Sequence, residues 1–210
     1  MGGKETHVLI YLLFVLTICR LITHLKPAFL DSLSAVAREK LKEGVDSVVW
    51  AGVVALVLIH FVVRSFYIPS ESMLPTLQVN DFILVNELIY DFTDPVRGDI
   101  VVFHPPPTYT GDKTDLIKRV VGVEDDKIEV KEGHLYLNDV KIQENFIKEP
   151  MYGEFGPEIV KKAHIFAMGD NRNDSRDSRI IGQIPLENLV GRAEVIFFPP
   201  SRITFFNVPR

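Results

Sequence analysis

Cysteine is almost missing from this chain. Cys19 is the only one in 210 residues, which excludes an intrachain disulfide and a thiolate metal centre. The histidines, at positions 7, 24, 60, 104, 134 and 164, never recur at the i, i+4 spacing of a zinc-binding helix, so no metal site is expected. Excess positive charge is lacking too. With 23 Lys and Arg against 28 Asp and Glu, the net charge is −5, and no basic run interleaved with aromatics suggests a nucleic-acid partner. There is no G-x-S-x-G elbow, and Pro75 occupies the third position after Ser72, so S-x-x-K is absent as well. Common esterase and penicillin-binding chemistry is thereby removed. No internal repeat is present.

What the chain does have is apolar sequence concentrated near its start. Val8 to Cys19 is short for a full span and has the length of a signal-peptide core, but no small-x-small cleavage pattern follows it. Residues 1–25 are therefore expected to be retained, as a marginal first transmembrane helix or an interfacial one. Residues 26–44, with Arg20 just before them, carry Lys26, Arg38, Lys40 and Lys42, and the positive-inside rule makes this a cytoplasmic loop. Leu33, Val36, Ala37 and Leu41 recur at near-helical spacing within it. Val45 to Val63 is the stronger span. It reaches about 28 Å as a helix, close to the hydrocarbon thickness, and residues 45–65 are expected to cross the membrane. Residues 66–210 then lie on the outer face.

From Asn80 onward the pattern is β. Short apolar runs are expected as strands at Phe82–Val85, Ile100–Phe103, Leu116–Val123, Ile128–Val130, His134–Leu137, Val140–Ile142, Ala163–Met168 and Ala193–Phe198. Turn residues separate them, and Asn145–Lys162, with its prolines and glycines, reads as irregular. The expected fold is mainly β: a sheet or barrel-like domain preceded by one or two N-terminal transmembrane helices. Phe197-Phe198 and Phe205-Phe206 flank Pro199-Pro200. Core packing is their ordinary explanation, and contact with a bilayer surface the alternative.

Between the span and the strands lies Ile68-Pro69-Ser70-Glu71-Ser72-Met73-Leu74-Pro75-Thr76-Leu77, where prolines bracketing two serines forbid helix. A rigidly held serine can be a nucleophile if a base adjoins it. No histidine stands in a triad motif. A lysine can serve where apolar surroundings disfavour its cation, and Lys118, within Leu116-Ile117-Lys118-Arg119-Val120-Val121, has the most apolar setting of any lysine after the span. Spacing alone favours the plainer reading, a lysine on the solvated face of a strand. Gly169–Arg179 (GDNRNDSRDSR) contains no large apolar side chain. It could form a hydrogen-bonded platform from Asp170, Ser175, Asp177, Ser178 and Arg179, or an ordinary surface loop.

Ser72-Met73-Leu74-Pro75-Thr76-Leu77, Arg97-Gly98-Asp99-Ile100-Val101-Val102-Phe103, Lys118-Arg119-Val120-Val121-Gly122 and Gly169-Asp170-Asn171-Arg172 with Asp177-Ser178-Arg179 stand in the order seen in bacterial signal peptidase I. Over about residues 64–198 the chain resembles that family. The resemblance implies Ser72 as nucleophile and Lys118 as a neutral-amine general base. It implies Ser70 Oγ and the Ser72 N–H as the oxyanion hole, and Ser175 as the group that orients the lysine. Asp177 and Arg179 would form an ion pair beneath the site, with Asp170 and Arg119 in support. Ile68, Pro69, Met73 and Ile117 would line shallow pockets for small side chains. Glu124-Asp125-Asp126 departs from the usual Pro-Gly-Asp, and Asn173-Asp174 inverts the common order.

The function so implied is cleavage of signal peptides from translocated preproteins, without metal or cofactor. Expected partners are preproteins with small residues before the cut and membrane lipid, with no nucleic acid. The expected location is the bacterial cytoplasmic membrane, catalytic domain outside, and the expected state is a monomer. Two rivals remain at this stage: a specialised peptidase maturing a secretion or conjugation component, and an inactive membrane-anchored domain that only binds extended peptides.

Overall fold

The computed structural model describes residues 14–18, 20, 21, 34–61, 63–106, 109, 111 and 114–206, with the backbone only for 55–61. The chain divides into two compact units, Met1–Val62 and Val63–Arg210.

In the first unit, helix α1 (Ala35–Phe61) runs for 27 residues, about 40 Å at 1.5 Å per residue. Ser34 precedes it and its Oγ accepts a hydrogen bond from Ala37 N at 3.3 Å, the usual way a serine satisfies a free N–H of a first turn. Residues 14–18, 20 and 21 are helical as well. Arg20 Nε reaches Asp46 Oδ1 at 3.0 Å, and a Cβ on Gly52 would lie 3.1 Å from Leu16 Cδ1, so glycine permits a close approach there. Among the described residues no helix is long and apolar enough to cross a membrane. The apolar run expected as a span is helical as far as Phe61, and strand begins at Val63. Residues 8–13 and Cys19 of the first run, and 22–33 of the following segment, lie outside the described residues.

The second unit is β-dominated. Its strands are β1 (Val63–Tyr67), β2 (Phe82–Asn86), β3 (Ile100–Phe103), β4 (Leu116–Gly122), β5 (Lys127–Lys131), β6 (His134–Leu137), β7 (Val140–Lys141), β8 (Phe155–Ile159), β9 (His164–Met168), β10 (Ile184–Pro185), β11 (Leu189–Phe198) and β12 (Thr204–Phe205). One sheet of eight strands has the order β1-β2-β11-β3-β4-β9-β10, with β12 added beside β11. A second sheet has the order β7-β6-β5-β8. Short helices α2 (Ile89–Phe92) and α3 (Ser178–Ile181) decorate the connections.

Strand β3 explains why the larger sheet is stable. Ile100, Val101, Val102 and Phe103 are all buried, so both faces of the strand are covered. Ile100 and Val102 join Ile68, Met73, Leu77, Ile83 and Val85 on one side. Val101 and Phe103 join Val120, Ile165, Ala167 and Ile184 on the other. A continuous apolar tetrapeptide is the sequence form of a strand buried on both faces. Its neighbour β4 is paired to β3 along Leu116–Arg119, but to β9 only from Arg119 onward. Among the described residues, 116–118 therefore have an unpaired edge.

The structure departs from the sequence reading in places. Phe155–Ile159, inside the stretch read as irregular, is a strand that pairs with β5. Strand β11 begins at Leu189, earlier than Ala193, with bulges in its pairing to β2 and β3. Gly191 sits at such a crossing, where a Cβ would come 2.3 Å from Asn86 O.

Candidate active site

Three segments meet around one hydroxyl. The first is the turn-rich loop between β1 and β2, tied internally by Leu74 N to Glu71 O (3.1 Å) and Leu77 N to Met73 O (2.9 Å). Met73 and Leu77 are fully buried and pin the loop to the core, and Ser72, directly before Met73, is buried beside them. The second segment is β4. Its burial alternates, so that Lys118 and Val120 are inside while Ile117 and Arg119 are half-buried. The third is the loop from Gly169 to Asp177, which leads into α3.

Lys118 Nζ donates to Ser72 Oγ at 2.9 Å and to the Ile117 carbonyl at 2.7 Å. Only 3% of Lys118 is exposed, and among the described residues no carboxylate contacts its amine. Burial therefore disfavours the ammonium and lowers its pKa from 10.5 to about 8, against the smaller opposing pull of Asp177 and Asp170. Both carboxylates are committed elsewhere, each to a guanidinium. Arg179 holds Asp177 through Nε at 2.9 Å and Nη2 at 2.8 Å. Arg119 holds Asp170 through Nε at 2.8 Å and Nη2 at 2.7 Å, with the Phe146 ring stacked 4.0 Å from the guanidinium carbon.

The loop carrying Ser72 is fastened to the third segment. Asn171 N donates to the Ser72 carbonyl (3.1 Å) and Asn171 Nδ2 to the Glu71 carbonyl (3.1 Å). Thr76 Oγ1 donates to Asp170 Oδ2 at 2.5 Å. Gly169 lies at the contact: a Cβ there would come 2.4 Å from the Ser72 carbonyl oxygen and 2.3 Å from Ser175 Oγ. Asp177 caps α3, and its Oδ2 also accepts from Gly169 N at 3.0 Å, which fixes that glycine.

The other expected residues fall as follows. Ser70 Oγ lies 3.4 Å from Ser72 Oγ, beside the nucleophile candidate. The orienting hydrogen bond expected from Ser175 to the lysine is not made. Ser175 Oγ is buried with no hydrogen-bond partner, and the amine uses the Ile117 carbonyl instead. Ile68 and Met73 do not line an open pocket: at 2% and 0% exposure they pack in the core with Leu77 and Ile83. Pro69 is exposed and Ile117 half-buried, so these two present surface. Of the residues expected to form a platform in GDNRNDSRDSR, Asp170, Asp177 and Arg179 are ion-paired and Ser178 Oγ accepts from Ala167 N at 3.0 Å, whereas Ser175 Oγ stands apart.

Sequence reasoning missed Asn171, Thr76 and the Arg172–Glu144 pair. Arg172 is fully buried, donating to Glu144 at 2.7 and 2.6 Å and to the Gly169 carbonyl at 2.9 Å. A charged residue directly after Gly-Asp-Asn was a signal. Glu144 gave none, because its partner lies 28 positions away. Among the described residues no group of three or more His, Cys, Asp or Glu could hold a metal.

A serine hydroxyl hydrogen-bonded to a buried amine, beside a second hydroxyl and a strand edge unpaired among the described residues, is a set of groups suited to acyl transfer from an extended peptide. The comparisons agree with that class. The family model described as signal peptidase, peptidase S26, matches residues 41–198, and the chain belongs to this family. It is 41% identical to signal peptidase I of Leptolyngbya laminosa over 171 residues, 80% of this chain and 84% of that protein. It is 42% identical to the chloroplastic thylakoidal processing peptidase 1 of Arabidopsis thaliana over 144 residues, 65% of this chain and 42% of that one. A solved signal peptidase I from Enterococcus faecalis V583 is 26% identical with a TM-score of 0.40, covering 48% of this chain and 97% of that chain.

Proposed function

We propose that this chain is a serine endopeptidase that removes signal peptides from translocated preproteins, with Ser72 as nucleophile and Lys118 as general base. The observation that carries the reading is the 2.9 Å contact between Ser72 Oγ and a lysine amine that is 3% exposed. The free amine takes the hydroxyl proton as Ser72 Oγ attacks the scissile carbonyl carbon. Negative charge then develops on the carbonyl oxygen, where the Ser72 N–H and Ser70 Oγ donate. Among the described residues the Ser72 N–H has no other acceptor. Collapse breaks the C–N bond, and the ammonium gives its proton to the departing amine, the new N-terminus of the mature protein. The signal peptide stays as an ester on Ser72. The amine next activates a water, whose attack releases the carboxylate and restores the serine.

An extended substrate docks on the unpaired edge of residues 116–118 by strand addition, and alternate side chains face the protein. Pro69 and Ile117 offer shallow apolar contacts suited to small residues at the first and third positions before the cut. Asp170, Asp177, Arg119 and Arg179 hold the framework, and the chemistry calls for no metal or cofactor. The enzyme acts at a bacterial cytoplasmic membrane with its catalytic unit on the outer face, as a monomer. A specialised peptidase maturing one secretion or conjugation component is separated from general processing by an assay across several preproteins.

The test is processing of a purified preprotein by the full-length chain. Ser72→Ala and Lys118→Ala are each expected to abolish cleavage while folding is kept, and a serine-reactive acylating probe should add its mass to the wild type and not to Ser72→Ala. Normal cleavage at neutral pH by Lys118→Ala would end the proposal.

A further inference from the structure

The loop bearing Ser72 is closed at its base by two backbone hydrogen bonds, Ile68 N to Asp81 O at 2.9 Å and Asn80 N to Ile68 O at 3.0 Å. Asp81 also turns its carboxylate inward, where Oδ2 accepts from Gln78 N at 2.8 Å. At 1% exposure that carboxylate needs a cation. Arg202 supplies it, donating through Nε to Oδ1 at 2.8 Å and through Nη2 to Oδ2 at 2.9 Å. Nη2 also reaches the Thr76 carbonyl at 3.3 Å. Thr76 is thus held on both sides: its hydroxyl by Asp170 and its carbonyl by Arg202.

Arg202 arrives on a strap formed by residues 199–206. Its N–H donates to the Pro199 carbonyl at 2.9 Å in a 3-10 turn, after which β12 pairs with β11 and Phe206 N donates to Glu194 O at 2.9 Å. The strap lies beyond residue 198, where the family match ends.

We infer that Arg202 is a positioning residue for the nucleophile, and that the C-terminal strap belongs to the catalytic apparatus by holding the Ser72 loop at reacting distance from Lys118. The inference rests on Ser72 and Lys118 acting as proposed. A fork that grips a carboxylate and a carbonyl of the same loop restrains its translation and its tilt together. Misplacement of the attacking atom by about 1 Å is enough to cost on the order of a hundredfold in rate.

The experiment measures kcat and KM on a purified preprotein for full-length Arg202→Ala and Arg202→Lys, with Tm, the pH profile and the rate of Ser72 acylation by a serine-reactive probe. For Arg202→Ala, kcat is expected to fall roughly tenfold to a hundredfold, with KM within about twofold of wild type. Acylation should slow in parallel, and the apparent pKa of the essential base should stay where it is in the wild type. Arg202→Lys should recover part of the loss, because an ammonium restores the charge but not the fork. Wild-type kcat per folded molecule in Arg202→Ala, even with a lowered Tm, would reduce Arg202 to a stabilising clamp and overturn the inference. If Arg202→Ala does not fold, Arg202→Lys decides, and full wild-type kcat in that variant overturns it. Ser72→Ala run in parallel keeps the two readings apart. An active Ser72→Ala sinks the nucleophile assignment, whereas an inactive Ser72→Ala beside a fully active Arg202 variant sinks only the role of Arg202.

Discussion

Two buried cations in the catalytic unit have opposite fates. Arg172 and Glu144 have side chains 0% and 4% exposed and meet through two hydrogen bonds, so the charge is neutralised where it sits. Lys118 is buried to a similar degree and has only a hydroxyl and a backbone carbonyl for company. Pairing keeps the first a fixed structural charge, and burial without a contacting carboxylate lowers the pKa of the second to about 8. Identity matters as much as partner. A guanidinium stays protonated in any protein setting, whereas an ammonium does not. The fold keeps Asp170 and Asp177 near the amine but locks each to its own arginine, which limits how far they restore the ammonium.

The comparison can be broken by exchanging the two chemistries. The largest effect is expected from Lys118→Arg, which retains a cation beside Ser72 but cannot supply a base. Preprotein cleavage should fall by at least about a thousandfold, and near-wild-type turnover would mean that Lys118 acts through its charge. Next comes Glu144→Gln, which strands Arg172 without its counter-charge. Denaturant unfolding should show a loss of about 3–5 kcal/mol, and a shift below about 1 kcal/mol would mean that the pair is not tightly coupled.

Lys118→Met should do the reverse for stability while abolishing activity. The lowered pKa means the folded state disfavours the ammonium, a penalty of about 3 kcal/mol at pH below 8. Between about 8 and 10.5 the unfolded chain binds more protons than the folded one, so wild-type stability gains on the variant as pH rises through that window. The variant should be more stable by about 1–3 kcal/mol at pH 7, with the gap closing by pH 10; a less stable variant at pH 7 would refute the account. The smallest effect is in the rate profile. With a pKa of about 8, roughly one lysine in ten is neutral at pH 7, so kcat/KM should climb severalfold towards pH 8 and then level. A flat profile from pH 6 to 9 would place the essential ionisation elsewhere.

Much of this was legible in the sequence for a physical reason. Strand β3 and the hairpin β5–β6 are coded by local pattern, since an apolar tetrapeptide and a two-residue Glu132-Gly133 turn each carry their own signal. Strand β8 carries none: Phe-Gly-Pro-Glu-Ile looks like a loop and becomes a strand only because β5 offers it an edge. The site divides in the same way. Ser72 between prolines and Lys118 in an apolar strand stand out singly, and resemblance to a family links them. Asp81 with Arg202, and Arg172 with Glu144, acquire meaning only when distant segments meet, which no spacing rule encodes. Burial of Ile68 and Met73 was hidden for a similar reason, because pocket lining and core filling call for the same side chains.

Gly169 has a mechanical consequence. With only hydrogens on its α-carbon, the Ser72 carbonyl and the hydroxyl of Ser175 crowd into space that any larger residue would claim. The Asp177 carboxylate holds the Gly169 N–H, and Gly169 abuts the Ser72 carbonyl, so the two loops are coupled through one glycine.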